Sequence, residues 1–260
     1  MKKLLKSLAL CVLFLFITVC FQATTYGYEA GWEAVDEYNG LAPDLSECVN
    51  EGTNFQDAIA SYGGYMGWWT SYGFADDNAW EEDFKEEIFG GTDDYYADNV
   101  NLVLFSGHGN RNGFYFGTFN DDPQLYYSEA KWGDHQDGLD WIIIDACEVL
   151  QPGGVPNVWN RWGWPVFRGL HYILGYSSIT YDVNTRGRDF IKYAMEYGET
   201  VREAWRDATI ISEDGTTAAY LRADNAISDT YNDHLRGFGH TSPDPVSPTI
   251  LWYFWWSTNG

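Results

Sequence analysis

Positive charge is scarce in this chain. Lys and Arg number 15 against 38 Asp and Glu, a formal net charge of −23 over 260 residues. That balance excludes a nucleic-acid partner, because neutralising phosphates takes Lys and Arg. It suits a protein of a salty or extracellular setting, or one whose acidic loops meet Ca²⁺ or a cationic substrate. Cysteine is scarce too, with 4 residues, two of them (Cys11 and Cys20) in the first 27. Long apolar runs are missing beyond that same segment, so no integral membrane span is expected. Internal repeats and low-complexity tracts are absent.

What is abundant is aromatic. With 13 Trp, 19 Tyr and 15 Phe the chain can build a large core, and its length suits one domain. Residues 1–27 read as a signal peptide. Lys2, Lys3 and Lys6 form the charged start, Leu8 to Phe21 the apolar stretch, and cleavage is expected between Ala23 and Gly27. Lipidation at Cys20 is disfavoured by Val19 before it. Removing three Lys takes the charge to −23 − 3 = −26. The protein is therefore expected to be secreted or extracytoplasmic, with residues 28–260 as a single α/β domain. Only Cys48 and Cys147 remain, and a disulfide between them is the plain reading in an oxidising compartment.

The elements follow from periodicity. Gly31 to Asn39 opens a first strand, and Asn54 to Gly63 reads as a helix with Phe55, Ala58 and Ile59 on one face. Tyr65 to Phe74 is aromatic and broken by glycine. Ala79 to Ile88 carries Trp80, Phe84 and Ile88 at helical spacing and stops at Gly90-Gly91. Val158 to Trp162 predicts a short helix and Leu170 to Tyr176 a strand. A helix over Arg186 to Tyr197 precedes another that opens with the capping box Thr200-Val-Arg-Glu203 and turns Val201, Trp205, Ala208 and Ile211 inward. Thr217 to Leu221 reads as a late strand and Thr249 to Trp256 as an aromatic edge strand.

Chemistry concentrates between Asp98 and Leu150. The apolar run Asn99 to Phe105 breaks into Ser106-Gly107-His108-Gly109, and the run Leu139 to Ile144 breaks into Asp145-Ala146-Cys147-Glu148. Such runs read as strands buried on both faces of a parallel sheet, and ligands bind at the carboxyl ends of such strands. Adjacent strands would set His108 beside Cys147. An imidazole next to a thiol takes its proton during attack. Gly109 lets the backbone approach a substrate, and its N–H with that of Cys147 could hold an oxyanion.

These two breaks resemble the caspase-like cysteine peptidases, the group of caspases, metacaspases, legumains and gingipains. The Ser106–Gly109 match is complete. Asp145-Ala146-Cys147-Glu148 is similar to the Glu-Ala-Cys-Glu of legumains and the Asp-Ser-Cys of metacaspases. The likeness covers about fifty residues. It implies a caspase-like, mostly parallel sheet flanked by helices, a His108–Cys147 dyad and no cofactor, with a peptide or protein as substrate. Asp145 would line the pocket for the side chain before the cleaved bond, with Asp182 a second wall, giving cleavage after Arg or Lys, or after Asn. Such a Cys147 would be a free thiol. The chain departs after Glu148, where Val149-Leu150-Gln151-Pro152 replaces a small residue and Gly, which predicts a bulkier pocket lip. The alternative is an inactive fold of this kind that binds a peptide or glycan through its aromatics. Acidic stretches such as Asp93 to Asp98 could take Ca²⁺, and Asp134-His135 a metal, though no ligand spacing supports the latter.

Overall fold

The computed structural model describes residues 27–117, 122–135 and 138–259. The signal-peptide expectation for residues 1–27 lies, apart from Gly27, outside the described residues. The apolar runs before His108 and Cys147, Leu170 to Tyr176 and the two late runs become strands close to where the sequence placed them. The first strand begins at Tyr28, three residues before the expected Gly31, and the aromatic stretch Tyr65 to Phe74 yields a strand that was not expected. The strands are β1 (Tyr28–Ala34), β2 (Trp68–Ala75), β3 (Leu102–Ser106), β7 (Trp141–Asp145), β8 (Tyr172–Tyr176), β9 (Thr217–Asp224) and β10 (Ile250–Ser257). They form one seven-stranded sheet in the order β10-β9-β8-β7-β3-β1-β2. The five strands from β2 to β8 run parallel, while β9 runs against β8 and β10 against β9. The expected mostly parallel α/β sheet is what forms.

The pleat sorts side chains into two layers. Leu102 and Leu104 of β3, with Trp141 and Ile143 of β7, enter one core; Val103, Phe105, Ile142 and Ile144 enter the other. The first layer is covered by helices α1 (Cys48–Ala58), α2 (Arg186–Ile191) and α3 (Val201–Ser212), through Phe55, Phe190 and Trp205. The opposite layer is irregular and aromatic, built on Phe84, Phe114, Trp132 and Trp162. It includes a small antiparallel sheet of β4 (Gly109–Asn110), β5 (Gly113–Tyr115) and β6 (Gln124–Tyr126) that periodicity did not reveal.

Several expectations need correction. Ala79 to Ile88 is no α-helix; two 3₁₀ turns, Glu81–Asp83 and Glu87–Phe89, stand there with Trp80 and Glu86 extended. Its backbone groups are drawn elsewhere: Trp80 N–H donates to Glu33, Glu86 N–H to the Glu129 carbonyl, and the Glu82 carbonyl accepts from Thr92 N–H. Phe84 is buried, but Ile88 is exposed. Ile211 is also exposed, although Val201, Trp205 and Ala208 of α3 are buried and the Thr200–Glu203 capping box forms. The helix expected over Arg186 to Tyr197 widens into π turns after Ile191, and Val158 to Trp162 gives a π turn at Trp159–Gly163. Helix α1 begins six residues before the expected Asn54, because its caps come from far along the chain. Asp36 accepts Cys48 N–H at 2.9 Å, and Asp182 accepts Ser46 N–H at 2.7 Å and Glu47 N–H at 3.2 Å. These carboxylates satisfy donors that a helix start leaves open.

At the amino ends of the strands, a buried ion cluster ties down the C-terminal segment. Asp140 accepts two bonds from Arg236, and His171 sets Nδ1 2.6 Å from Asp233 and Nε2 3.3 Å from Asp244. Burial works against a charged His171, but hydrogen bonds to Asp233 and Asp244 and the Asp140 charge outweigh it, so its pKa rises to about 9. The unfolded value is about 6.5. A raised folded pKa gives stability that is complete below the unfolded value and lost as pH climbs through the folded one. In denaturant titrations, the stability of wild type over His171→Gln should therefore shrink by on the order of 3 kcal/mol between pH 6 and pH 10. A constant difference would mean that His171 titrates in the fold as it does in the unfolded chain.

Candidate functional site

Strand register builds the site. Ser106 of β3 pairs with Asp145 of β7, and two residues beyond each lie His108 and Cys147. The Gly107 N–H donates to the Asp145 carbonyl at 3.1 Å, holding the two ends together. His108 and Cys147 line one cleft of about 240 Å³ together with Cys48, Asp145, Thr180 and Arg186. Gly109 lies tight against the end of the neighbouring strand. A Cβ there would sit 2.7 Å from Ala146 Cβ and 3.1 Å from the Cys147 carbonyl oxygen. Tyr115 N–H donates to the His108 carbonyl, which makes Gly109 and Phe114 a non-hydrogen-bonded pair and leaves the Gly109 N–H outside the ladder. The Cys147 N–H has no acceptor among the described residues.

His108 is held at both ends. Its backbone N–H donates to the Tyr38 hydroxyl at 2.7 Å, and the Tyr38 ring lies 4.7 Å from the imidazole, centroid to centroid. Its Nε2 is 2.7 Å from the carbonyl oxygen of Pro43. A carbonyl only accepts, so Nε2 carries hydrogen and the lone pair of a neutral His108 is on Nδ1. The Cys147 sulfur accepts Thr180 N–H at 3.4 Å and lies 3.6 Å from the Thr180 carbonyl oxygen. Among the described residues no hydrogen bond joins His108 to Cys147, a looseness common before a substrate tightens such a pair. Burial pushes the Cys147 thiol up; Thr180 N–H opposes this, and the Asp145 and Glu148 charges add to it. The resting sulfur is a thiol.

The floor of the cleft differs from the sequence expectation. Asp145 is not an open anion, because it is buried and ion-paired with Arg186. Pleat alternation explains the burial: Asp145 follows Trp141 and Ile143 into the helical layer, where α1 and α2 meet. Arg186 also donates to the Tyr181 carbonyl and to Glu213, and its guanidinium lies over the Tyr176 ring. Burial holds the Asp145 carboxyl well above its ordinary range, Arg186 opposes this, and the neighbouring Glu51 raises it further. Glu51 itself accepts Ser106 Oγ–H at 2.7 Å and Gly187 N–H at 3.1 Å. Asp145 Oδ2 and Arg186 Nε have no hydrogen-bond partner in the unliganded cleft. Asp182 reaches the rim, but its carboxylate serves as the helix cap described above. Both cysteines are free, and Cys48 packs its sulfur 3.5 Å from Asp182. Val149 and Leu150 do not form a lip, since both are fully buried in the aromatic layer.

Other candidates fall elsewhere. Asp98 accepts the N–H groups of Gly133, His135 and Leu139, which makes it a backbone anchor, while His135 pairs with Asp94 at 3.4 Å. Among the described residues, Asp140, His171 and Asp244 have metal-like spacing, but Arg236 already bonds Asp140 and lies 3.5 Å from Asp244. Sequence reasoning missed Arg186, Glu51, Pro43, Tyr38 and Thr180. One signal was available: Arg186 opens α2, and a cation at a helix amino end opposes the dipole unless an acid compensates.

Fold and cleft define an α/β protein whose mostly parallel sheet presents a histidine and a cysteine at neighbouring strand ends. The chain belongs to the family described as Domain of unknown function (DUF6345), which matches residues 32–259. No curated protein matches the chain. Among the described residues no helix is long and apolar enough to cross a membrane.

Two outcomes follow from the packing. Arg186→Met leaves Asp145 and Glu213 buried without their cation and should destabilise the fold by about 3–5 kcal/mol in denaturant melts; Asp145→Asn, which keeps an acceptor for Arg186, should be milder. If Arg186→Met melts like wild type, the pair holds nothing together. Gly109→Ala should separate the strand ends and lower Cys147 alkylation at least tenfold; unchanged labelling would show that the close approach at Gly109 is unimportant.

Proposed function

We propose that this chain is an exported cysteine endopeptidase of the caspase-like kind. The observation that carries the reading is the His108 Nε2 contact with the Pro43 carbonyl, at a strand end in register with that of Cys147. It leaves Nδ1 as the basic nitrogen beside a neutral thiol. Cys147 Sγ attacks the substrate carbonyl carbon as its proton passes to Nδ1 of His108. The N–H groups of Gly109 and Cys147 receive the oxyanion. The C–N bond then breaks as His108 returns the proton to the leaving amine, and water releases the acyl group from sulfur with His108 again as base.

The floor of the cleft favours Asn over Arg or Lys before the cleaved bond. A cationic side chain would find Asp145 already neutralised by Arg186. A carboxamide can donate to Asp145 Oδ2 and accept from Arg186 Nε, the two atoms without partners. A second reading, a binding module without turnover, is favoured by the raised Cys147 thiol and the missing bond to His108.

A peptide-library digest with wild type and Cys147→Ala tests both. The expectation is cleavage after Asn, lost in Cys147→Ala, with kcat/KM for Asn exceeding that for Arg by about 10–100-fold. Iodoacetamide labelling of Cys147 near neutral pH should fall in His108→Ala. No cleavage, together with labelling indifferent to His108, would leave only the binding module.

A further inference from the structure

The loop after Cys147 is organised around a second arginine. Arg161 is fully buried, and its guanidinium collects the carbonyls of Gln151, Gly153 and Pro156, the Gly153 contact at 3.0 Å. The Pro152 carbonyl accepts Val158 N–H at 3.4 Å. A trans peptide sets its N–H opposite its C=O. Drawing the Pro152 and Gly153 carbonyls inward therefore turns the N–H groups of Gly153 and Gly154 outward. Neither N–H has an acceptor among the described residues, and both glycines are exposed.

Arg111, in the turn between β4 and β5, lies against the same loop. A Cβ on Gly154 would fall 2.4 Å from Arg111 Nη1 and 3.8 Å from Arg161 Nη1, so two guanidinium groups flank one glycine. Trp162 Nε1–H donates to the Arg111 carbonyl at 3.3 Å and fixes the turn, while the Arg111 side chain is exposed. Among the described residues no carboxylate pairs with either arginine. Burial and the Arg111 charge press the Arg161 guanidinium below its ordinary range, opposed only by the Tyr127 and Tyr253 phenols. Arg161 Nε is buried without a hydrogen-bond partner. In a chain of net charge −23, both cations are left without an acid.

We propose that Arg111 and the amides of Gly153 and Gly154 form an oxyanion site for phosphate or sulfate, with Arg161 behind the loop as a fixed second charge. Carbonyls satisfy the hydrogens of Arg161 without cancelling its charge. Arg161 does not touch the anion; it holds the two amides outward and adds its field. A guanidinium fork beside adjacent N–H groups suits the several oxygens of a tetrahedral dianion. A carboxylate has two oxygens and one charge, and would use fewer of these donors. None of the three residues lines the Cys147 cleft, and the inference does not rest on the peptidase reading.

Calorimetric titration of the full chain at low ionic strength, with inorganic phosphate, phenyl phosphate and acetate, is the test. Inorganic phosphate should saturate in the millimolar range, and acetate should bind at least about tenfold more weakly. Arg111→Gln, at an exposed side chain, should weaken phosphate about tenfold or more. Arg188→Gln, at an exposed arginine paired with Asp189, should bind as wild type does. Phenyl phosphate binding as tightly as inorganic phosphate would assign the group to an ester, and inorganic phosphate binding alone would assign the free ion. No saturable phosphate binding, or equal affinity for acetate, would overturn the proposal. So would unchanged affinity in Arg111→Gln, or an equal loss in Arg188→Gln.

Discussion

A guanidinium removed from water has to be answered by anions, and Arg186 is answered by several parts of the chain at once. Asp145 comes from the end of β7, Glu213 from just past α3, and the Tyr181 carbonyl from the loop after β8. Glu51 of α1 closes the group through Ser106 of β3 and the Gly187 N–H of α2. The last residues of two central strands are thereby tied to the helices above them. Because each residue advances a strand by about 3.3 Å, fixing Ser106 and Asp145 fixes the exits from which His108 and Cys147 are presented. Removing the cation would leave like charges facing one another just before the chain turns out of its strand. Glu148, with a positive φ of 59°, makes that turn.

Much of the acidity has a similar internal use. Asp98 takes three backbone N–H groups, and Asp36 and Asp182 take four more at the start of α1. A layer built of 3₁₀ turns and loops leaves more backbone donors unpaired than regular helices do, and short carboxylates are efficient acceptors for them. Where no donor answers, burial shifts the proton balance instead: Asp93 rises to about 9, chiefly by desolvation. A run of acids such as Asp93 to Asp98 therefore looks like a cation site in sequence while part of it supports a loop.

This explains what could be read in advance. The strands were legible because burial on both faces leaves an unbroken apolar run, as in Trp141 to Ile144. The capping box at Thr200 was legible because its partners lie three residues apart. Helix α1 was misplaced because its caps are more than ten residues away, and Ala79 to Ile88 was misread because its amides bond to Glu33 and Glu129. Periodicity detects a face and says nothing about where the backbone donors go. At the site, His108 and Cys147 were visible as breaks in strands. Arg186 was not, since the contact that gives it meaning spans 41 residues. Asp145, which the resemblance implied as a pocket wall, instead turns into the helical layer, where Arg186 pairs with it.

The same arrangement determines how a thiol there can react. Cys147 is near one buried cation and several carboxylates, and Arg186 is largely spent on Asp145 and Glu213 before its field reaches the sulfur. Burial and the Asp145 and Glu148 charges raise the thiol, with only Thr180 N–H and a residue of the Arg186 charge against them. A preformed thiolate–imidazolium pair needs the opposite balance, a net positive surrounding. A thiol in these surroundings gives up its proton only as it reacts, and the Pro43 carbonyl leaves the lone pair of a neutral His108 on Nδ1. Thr180 holds the sulfur through both its N–H and its carbonyl, so a substrate backbone entering beside Thr180 would compete for those groups and free the sulfur for His108. The resting site therefore holds a thiol whose sulfur is engaged by Thr180 on both sides.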